Sequence, residues 1–368
     1  MSRVKFGDVV KDVKINIDRL NNPYEYYVAG DHMDSEDLTI HRKGCFTTDD
    51  VGPAFIRVFK PGQILYGSRR TYLKKIAVAD FEGVCANTTF VFETKDPHAF
   101  EQRLLPFIML SKDFTTWSIA KSKGSTNPYV LFSDLADFEF ELPPLEEQKV
   151  LVDKLWAAYR LKEAYKKLLV ATDEMVKSQF IEMFKEKGYP LRMLKSFADV
   201  STGGTPSKAN LEYWNGDKPW VSAEDMKNKY VYDTCEKVTE AGYATCKIIP
   251  VDTLMYVCRG SIGVMAINKI ECATNQSICR AKCHDNVCNV EFLYHALMYQ
   301  KDNIKKMGTG TSFKSLNQTS FSELKIELPP YNEQMKFVSI AQQADKSEFE
   351  LRKSIDAIDQ VIKSLINN

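Results

Sequence analysis

Histidine is scarce in this chain, five residues among 368. None stands in a recognisable Ser/His/Asp or Cys/His order, so the signature of nucleophilic hydrolysis is missing. An excess of charge is missing as well, because Lys+Arg and Asp+Glu are each 49. Global electrostatics therefore favours neither nucleic acid nor a membrane surface, and only local patches can speak. No stretch reaches the ~18 apolar residues of a membrane span. The opening Met1-Ser-Arg-Val-Lys-Phe-Gly-Asp8 lacks the apolar run of a signal peptide. Nine cysteines, an odd number with seven in the second half, are expected as free thiols in a reducing cytoplasm rather than as a disulfide framework. Gly203-Gly-Thr-Pro-Ser-Lys208 is phosphate-friendly in composition but lacks the spacing of a nucleotide loop. Cys279-x3-Cys283-His284-x3-Cys288 offers soft ligands close together, yet not at the spacing of a standard zinc knuckle. Free cysteines near a strand end are expected there, and no metal site.

What the chain does contain is a repeat. Leu142-Pro-Pro-Leu-Glu-Glu-Gln148 returns as Leu328-Pro-Pro-Tyr-Asn-Glu-Gln334, an offset of 186 residues. Pro143 matches Pro329, Pro144 matches Pro330, Glu147 matches Glu333 and Gln148 matches Gln334. At the same offset Gly124-Ser-Thr-Asn127 aligns with Gly310-Thr-Ser-Phe313 and Leu135 with Phe321. Nearby, Val84-Cys-Ala-Asn-Thr88 resembles Glu271-Cys-Ala-Thr-Asn275, and Phe6-Gly-Asp-Val9 resembles Phe197-Ala-Asp-Val200. Self-similarity at half the chain length implies a pseudo-twofold object with the same order of features in both halves. The Leu328-Pro-Pro-Tyr331 sequence is one residue from the Asn/Asp-Pro-Pro-Tyr loop of amino-group DNA methyltransferases. Leu328 has no atom to accept from a target amino group, so both copies read as helix-start punctuation.

The elements follow from periodicity. Gln63–Tyr66, Lys75–Ala79 and Thr89–Glu93 are expected strands. His98–Lys112 reads as a helix with Pro106 inside it, and Ser133–Leu142 alternates like a strand. Pro143-Pro144 opens a long helix with Glu146 and Glu147 in the favourable first turn. Its apolar or small positions are Leu151, Leu155, Ala158, Leu161, Tyr165, Leu168 and Met175, and some forty such residues would run about 60 Å. In the second half Leu254–Cys258, Gly263–Ile267 and Ser277–Cys279 are expected strands and Val290–Met307 a helix. Asn332–Ile366 then shows a seam of Phe337, Ala341, Ala344, Glu348, Leu351, Ile355, Ile358, Ile362 and Leu365 at alternating spacings of four and three, which wants a partner helix. The expected class is α+β: two pseudo-twofold related mixed domains separated by two long antiparallel coiled-coil helices. The boundaries are 1–142 and 189–328 for the domains, 143–188 and 329–368 for the helices.

Binding features outweigh catalytic ones. Between Arg57 and Ala79 stand Arg57, Lys60, Arg69, Arg70, Lys74 and Lys75 with Tyr66 and Tyr72 interleaved, and no acid. Lys and Arg suit phosphates, and Arg, Asn, Gln, Ser and Thr suit base edges. Lys121–Asn127 adds small donors on a flexible loop. The counterparts in the second half are Arg259-Gly-Ser-Ile-Gly263, Asn275-Gln276 and Lys305–Ser312 with Lys314. The residues expected at DNA are Arg69, Arg70, Lys74, Lys75, Ser125, Thr126 and Asn127 in the first domain. In the second they are Arg259, Ser261, Asn275, Gln276, Thr311, Ser312 and Lys314. A non-enzymatic coiled-coil scaffold with protein-binding lobes is the competing reading.

Taken together, Pro61-Gly-Gln-Ile-Leu65, Ser68-Arg-Arg-Thr-Tyr-Leu73, Ser201-Thr-Gly-Gly-Thr-Pro206, Tyr213-Trp214, Pro219-Trp-Val-Ser222, Arg259-Gly-Ser-Ile-Gly263, Thr274-Asn-Gln276 and the two Leu-Pro-Pro motifs resemble the DNA specificity subunit of type I restriction–modification enzymes over nearly the whole chain. Gln63 and Val251-Asp-Thr-Leu254 depart from the usual family pattern. The resemblance implies two target-recognition domains reading a split sequence and a subunit with no catalysis of its own. It implies docking to two modification (methyltransferase) subunits, joined by restriction subunits, with S-adenosylmethionine, ATP and Mg belonging to those partners. Pro143, Pro144, Glu147, Gln148, Pro329, Pro330, Glu333 and Gln334 are the expected helix-start and subunit-docking residues.

Overall fold

The computed structural model describes residues 2–18, 21–185, 187–307 and 316–367, with only the backbone of Lys305 and Met307. The chain divides into two compact units, Met1–Lys166 with Arg352–Asn368, and Lys167–Leu351. The division falls inside two long helices, Leu145–Phe180 and Tyr331–Asn367, so each unit owns part of both.

In the first unit the β-rich runs build two four-stranded sheets. One has the order Val10–Asp12, Thr89–Thr94, Ile64–Gly67, Ile76–Val78. Its inward faces carry Phe92, Ile64 and Ile76, which join Phe6, Phe114 and Leu135 in one core. Each such fully buried side chain contributes about 1.5–3 kcal/mol. The other sheet contains a parallel pair, Tyr27 opposite Val84. A short antiparallel ribbon, Ser2–Lys5 against Glu139–Leu142, leads into the first Pro-Pro. The second unit repeats this plan. Ala198–Thr202, Ile278–Cys283, Leu254–Val257 and Met265–Asn268 lie in the same order, with Tyr230–Val231 added at the end. A parallel pair again appears, Trp220 opposite Ala273, and Leu191–Met193 pairs with Lys325–Glu327 just before the second Pro-Pro.

Within each unit the two helix segments run antiparallel. In the first unit Leu151 packs near Leu365 and Ile366, while Lys162 bonds Asp359 at 2.5 Å. In the second, Phe184 meets Phe337, while Val176 and Lys177 face Ala341 and Asp345. The seam expected on the last helix is buried or half-buried throughout. The seam expected on the first long helix requires correction: Leu161, Leu168 and Met175 are 45%, 50% and 42% exposed. The buried face instead runs through Val152, Leu155 and Tyr159, then through ion-paired Lys162 and Lys166, and resumes at Val176, Phe180 and Phe184. Leu151, Leu155 and Ala158 do pack against the first core, but beyond them the apolar periodicity leaves the buried face, because the middle of that face is polar.

Three further differences have local causes. Pro106 stands in the first turn of Leu105–Leu110, where its missing N–H costs nothing, and Ser111 then caps a separate helix, Lys112–Ala120. The alternation expected over Ser133–Leu142 divides into a helix, Phe132–Ala136, and a strand, Glu139–Leu142. Val290–Met298 and Lys301–Met307 are two helices rather than one.

The repeated glutamine explains how each domain grips its helix. Gln148 is fully buried. Its Oε1 accepts from Glu101 N–H at 2.8 Å, and its Nε2 donates to the carbonyls of Ala99 at 3.0 Å and Pro143 at 2.7 Å. Gln334, equally buried, repeats all three bonds with Asn289 N–H and the carbonyls of Val287 and Pro329. A primary amide supplies one acceptor and two donors, which is the set these three backbone groups require.

Candidate nucleic-acid interface

Three connections converge at one end of the first sheet. The first follows strand Ile64–Gly67. Ser68 N–H and Oγ both donate to Thr88 O, at 3.2 and 2.5 Å. This binds the loop to the second connection, Ala86–Thr89. The third is a tight loop closed by reciprocal backbone bonds between Lys123 and Tyr129. It is fastened to the first by Val130 N–H to Ser68 O at 3.0 Å and Arg70 N–H to Pro128 O at 2.6 Å. Gly124 turns this loop at φ +89, a conformation glycine adopts without steric cost.

This convergence leaves Arg69, Arg70, Tyr72, Asn87, Ser125, Thr126 and Tyr129 exposed, with Asn127 half-buried beside them. Arg70 and Lys74 both lie in the left-handed region, at φ 51 and 47, around the turn Thr71–Leu73. Non-glycine residues reach that region at a cost of order 1 kcal/mol each. The strained turn holds Tyr72 at 53% exposure. Lys74 and Lys75, although basic, are engaged inside the unit. Lys74 bonds Glu36, and Lys75 donates to the Gly30 carbonyl with Asp31 at 3.8 Å. Their ammonium groups thus brace the neighbouring 30–36 loop, whereas Arg69 and Arg70 stand exposed with no ion pair among the described residues.

The second unit builds the same frame with different side chains. Cys258 N–H donates to Ser277 O at 2.8 Å, in the place of the Ser68–Thr88 bond, and Leu316 N–H donates to Cys258 O at 2.9 Å, in the place of the Val130–Ser68 bond. Arg259, Ser261 and Gln276 are exposed on it, with Asn275 half-buried. Asn275 Oδ1 accepts from Ser277 N–H at 2.9 Å, and Gln276 bonds Thr205. Thr311, Ser312 and Lys314 lie outside the described residues.

The second unit adds a connection that residue-by-residue reading undervalued. The 202–208 loop lies directly on the 274–277 loop. A Cβ at Gly203 would come within 2.1 Å of Thr274 O, so glycine is required by the close approach. Gly204 O accepts from Trp220 Nε1 at 3.1 Å. Lys208 lies 4.9 Å above the ring of Trp214, which meets Trp220 edge-on at 5.2 Å. Lys208, Thr205, Asn87 and Tyr129 were not singled out as contacts. Their signal was present in the Gly-Gly-Thr-Pro-Ser-Lys run and in the Asn-Thr and Thr-Asn pairs, but only the fold brings them beside the arginines.

The possible metal ligands behave differently from a metal centre. Cys279, Cys283 and Cys288 are buried free thiols, and exposed His284 bonds Asp199 at 3.2 Å. Asp37, His41 and Glu163 do come together. However, the Lys166 ammonium already stands 2.9 Å from Asp37 and 2.8 Å from Glu163, supplying the positive charge that the carboxylates need.

Comparison with known proteins gives a consistent pattern. The family described as type I restriction modification DNA specificity domain matches residues 19–169 and again 186–360. The chain is 28% identical over 208 residues to the MjaIX specificity subunit of Methanocaldococcus jannaschii, covering 53% of this chain and 48% of that protein. It is 31% identical over 171 residues to the EcoR124I/EcoR124II specificity subunit of Escherichia coli, covering 44% of this chain and 42% of that protein. The matches thus span about half the length of these relatives. Among solved structures, the type I restriction-modification S subunit from M. genitalium superposes with a TM-score of 0.64 at 16% identity, over 99% of this chain and 94% of that one. A chain from a study of assembly and conformational transition in a type I system gives 0.59 at 19% identity, over 99% and 96%. These two share the fold. Among the described residues no helix is long and apolar enough to cross a membrane.

Proposed function

The chain belongs to the type I restriction modification DNA specificity family, and from that premise we propose that it reads a split DNA sequence, one part with each unit. The observation that carries this reading is the recurrence of one loop frame, Ser68–Thr88–Val130 in the first unit and Cys258–Ser277–Leu316 in the second. Each frame presents a different set of exposed Arg, Asn, Gln, Ser, Thr and Tyr side chains. One scaffold with two surfaces suits two different half-sites. Arg69, Arg70, Ser125, Thr126 and Asn127 serve the first. Arg259, Ser261, Asn275 and Gln276 serve the second, joined by Thr205, which bonds Gln276; Lys208 instead pairs with Glu236 at 3.4 Å.

The chain acts without catalysis of its own. It brings two modification (methyltransferase) subunits to the DNA, and restriction subunits join them, so S-adenosylmethionine, ATP and Mg act at the partners. Such an assembly works in the cytoplasm on double-stranded DNA. The long helices set the spacer between the half-sites, because a rigid helix fixes distance at 1.5 Å per residue.

The test is to map the methylated motif of the assembled complex, then repeat it with Arg259→Ala. An arginine that grips a base edge is worth about 1–3 kcal/mol of discrimination. Relaxed recognition at one position of one half-site is expected, with the other half unchanged. A motif altered in both halves, or no dependence on any exposed arginine, would overturn the assignment.

A further inference from the structure

Each unit contains a buried polar cluster where the globular part meets its helix, and the two clusters have opposite polarity. In the first unit, Tyr159 of the central helix is buried and donates to Asp37 Oδ1 at 2.6 Å. Its hydroxyl oxygen accepts from Leu38 N–H at 2.8 Å. Lys166, about two helical turns further, reaches Asp37 Oδ2 at 2.9 Å, and His41 stands 3.3 Å from the same oxygen. Burial alone would raise the Asp37 carboxyl, but the bonds from Tyr159, Lys166 and Thr39 N–H hold it down at about 2. Asp37 is on the globular part; the hydroxyl and ammonium that reach it are on the helix, where Glu163 also stands 2.8 Å from Lys166.

In the second unit the position that matches Tyr159 at the 186-residue offset is Asp345. Its Oδ2 accepts from Lys229 Nζ at 2.7 Å and from the Tyr230 hydroxyl at 2.8 Å. Glu291 completes the cluster, 2.9 Å from Lys229. Here the hydroxyl and ammonium are on the globular part together with Glu291, and the acid they reach for on the helix is Asp345. Three positions away, Lys162 of the first helix is replaced by Glu348 of the second; the contrast ends at Lys166, which is matched by Arg352. The flanking positions do not change character: Gln148 and Gln334, Val152 and Val338, Leu155 and Ala341 are buried pairs at the same offset. The two globular parts therefore seat on the same helical face at the same positions, and the keys are what differ.

We propose that these clusters are keys of opposite polarity that seat each recognition unit only on the helix that follows it, making Asp37, Tyr159, Tyr230, Lys229 and Asp345 positioning residues for the reading faces. A first globular part placed on the second helix would set Asp37 against Asp345, carboxylate against carboxylate, in a half-buried site. A second globular part placed on the first helix would leave Lys229 with Glu291 alone, without its helix carboxylate, and with Lys162 at the position of Glu348. Both mismatches disfavour the exchange, a form of specificity achieved by repulsion. The consequence for DNA reading rests on the function proposed above; the keying does not.

The experiment is a full-length chain in which residues 189–328 are replaced by a second copy of residues 1–142. Hydrogen exchange at the Leu38 amide reports seating, since that N–H is buried against the Tyr159 hydroxyl. Mis-keyed, the duplicated peptide should split into two equal populations, one exchanging at least about tenfold faster than the other. Adding Asp345→Tyr and Glu348→Lys should merge them into one protected population. Equal protection without these substitutions overturns the proposal, and so does a split that they fail to close. A restored chain that then directs methylation to an asymmetric or unchanged motif counts against the DNA reading and leaves the keys intact.

Discussion

Arg70 carries two burdens that can be separated. Its backbone sits at φ 51 and its guanidinium is exposed at the crest of the first loop frame. Arg70→Gly removes the charge and relieves the backbone. Stability by calorimetry should hold or rise by up to ~1 kcal/mol, while DNA affinity falls and the salt slope of binding drops by about 1. Loss of stability with unaltered affinity would show the residue to be structural. The buried glutamines make the opposite case. Gln148→Ala strands an N–H and two carbonyls, and should lower the denaturation free energy of the first unit by about 2–4 kcal/mol. Neighbouring Glu147 is exposed, and Glu147→Ala should stay within ~0.5 kcal/mol. The sequence displayed both residues equally as members of one motif. Only burial distinguishes the glutamine that ties domain to helix from the glutamate that faces solvent. Likewise Lys74 and Lys75 looked like free cations in a basic run, because their partners Glu36, Gly30 and Asp31 lie some forty residues away.

At the level of elements, strands such as Ile64–Gly67 and Thr89–Thr94 were legible because their β-branched and aromatic alternation is local. The last helix was legible because its seam is apolar at every position but Glu348. The first long helix was legible as a helix, but its inner face only as far as Ala158, since half-buried, ion-paired Lys162 and Lys166 then occupy positions that an apolar pattern cannot mark. The loop Lys121–Asn127 of the first frame was legible as polar, but its neighbours were not, since they are joined by backbone bonds that leave no trace in side-chain identity. If the helices set the spacer, four residues inserted at the same level in both lengthen each by about 6 Å. The methylated motif should then gain about two base pairs of spacer with both half-sites intact, as read by methylation mapping. An altered half-site with the original spacer would refute that role.

For the whole molecule, the 186-residue repeat was the most informative feature of the sequence, because it announced one strand order used twice before any strand was located. The two matching sheet orders, the two parallel strand pairs and the two sets of glutamine bonds express that repeat in structure. What the repeat could not supply was the opposite polarity of the keys, since Asp37 and Tyr230 lie at no common offset. The central claim is that each unit reads its own part of the target. It is tested most directly by replacing residues 189–328 with the equivalent domain of a relative of different specificity, assembling the complex and sequencing the methylated DNA. The account predicts a motif in which one half is new and the other unchanged. A motif rewritten in both halves, or left as it was, would contradict it.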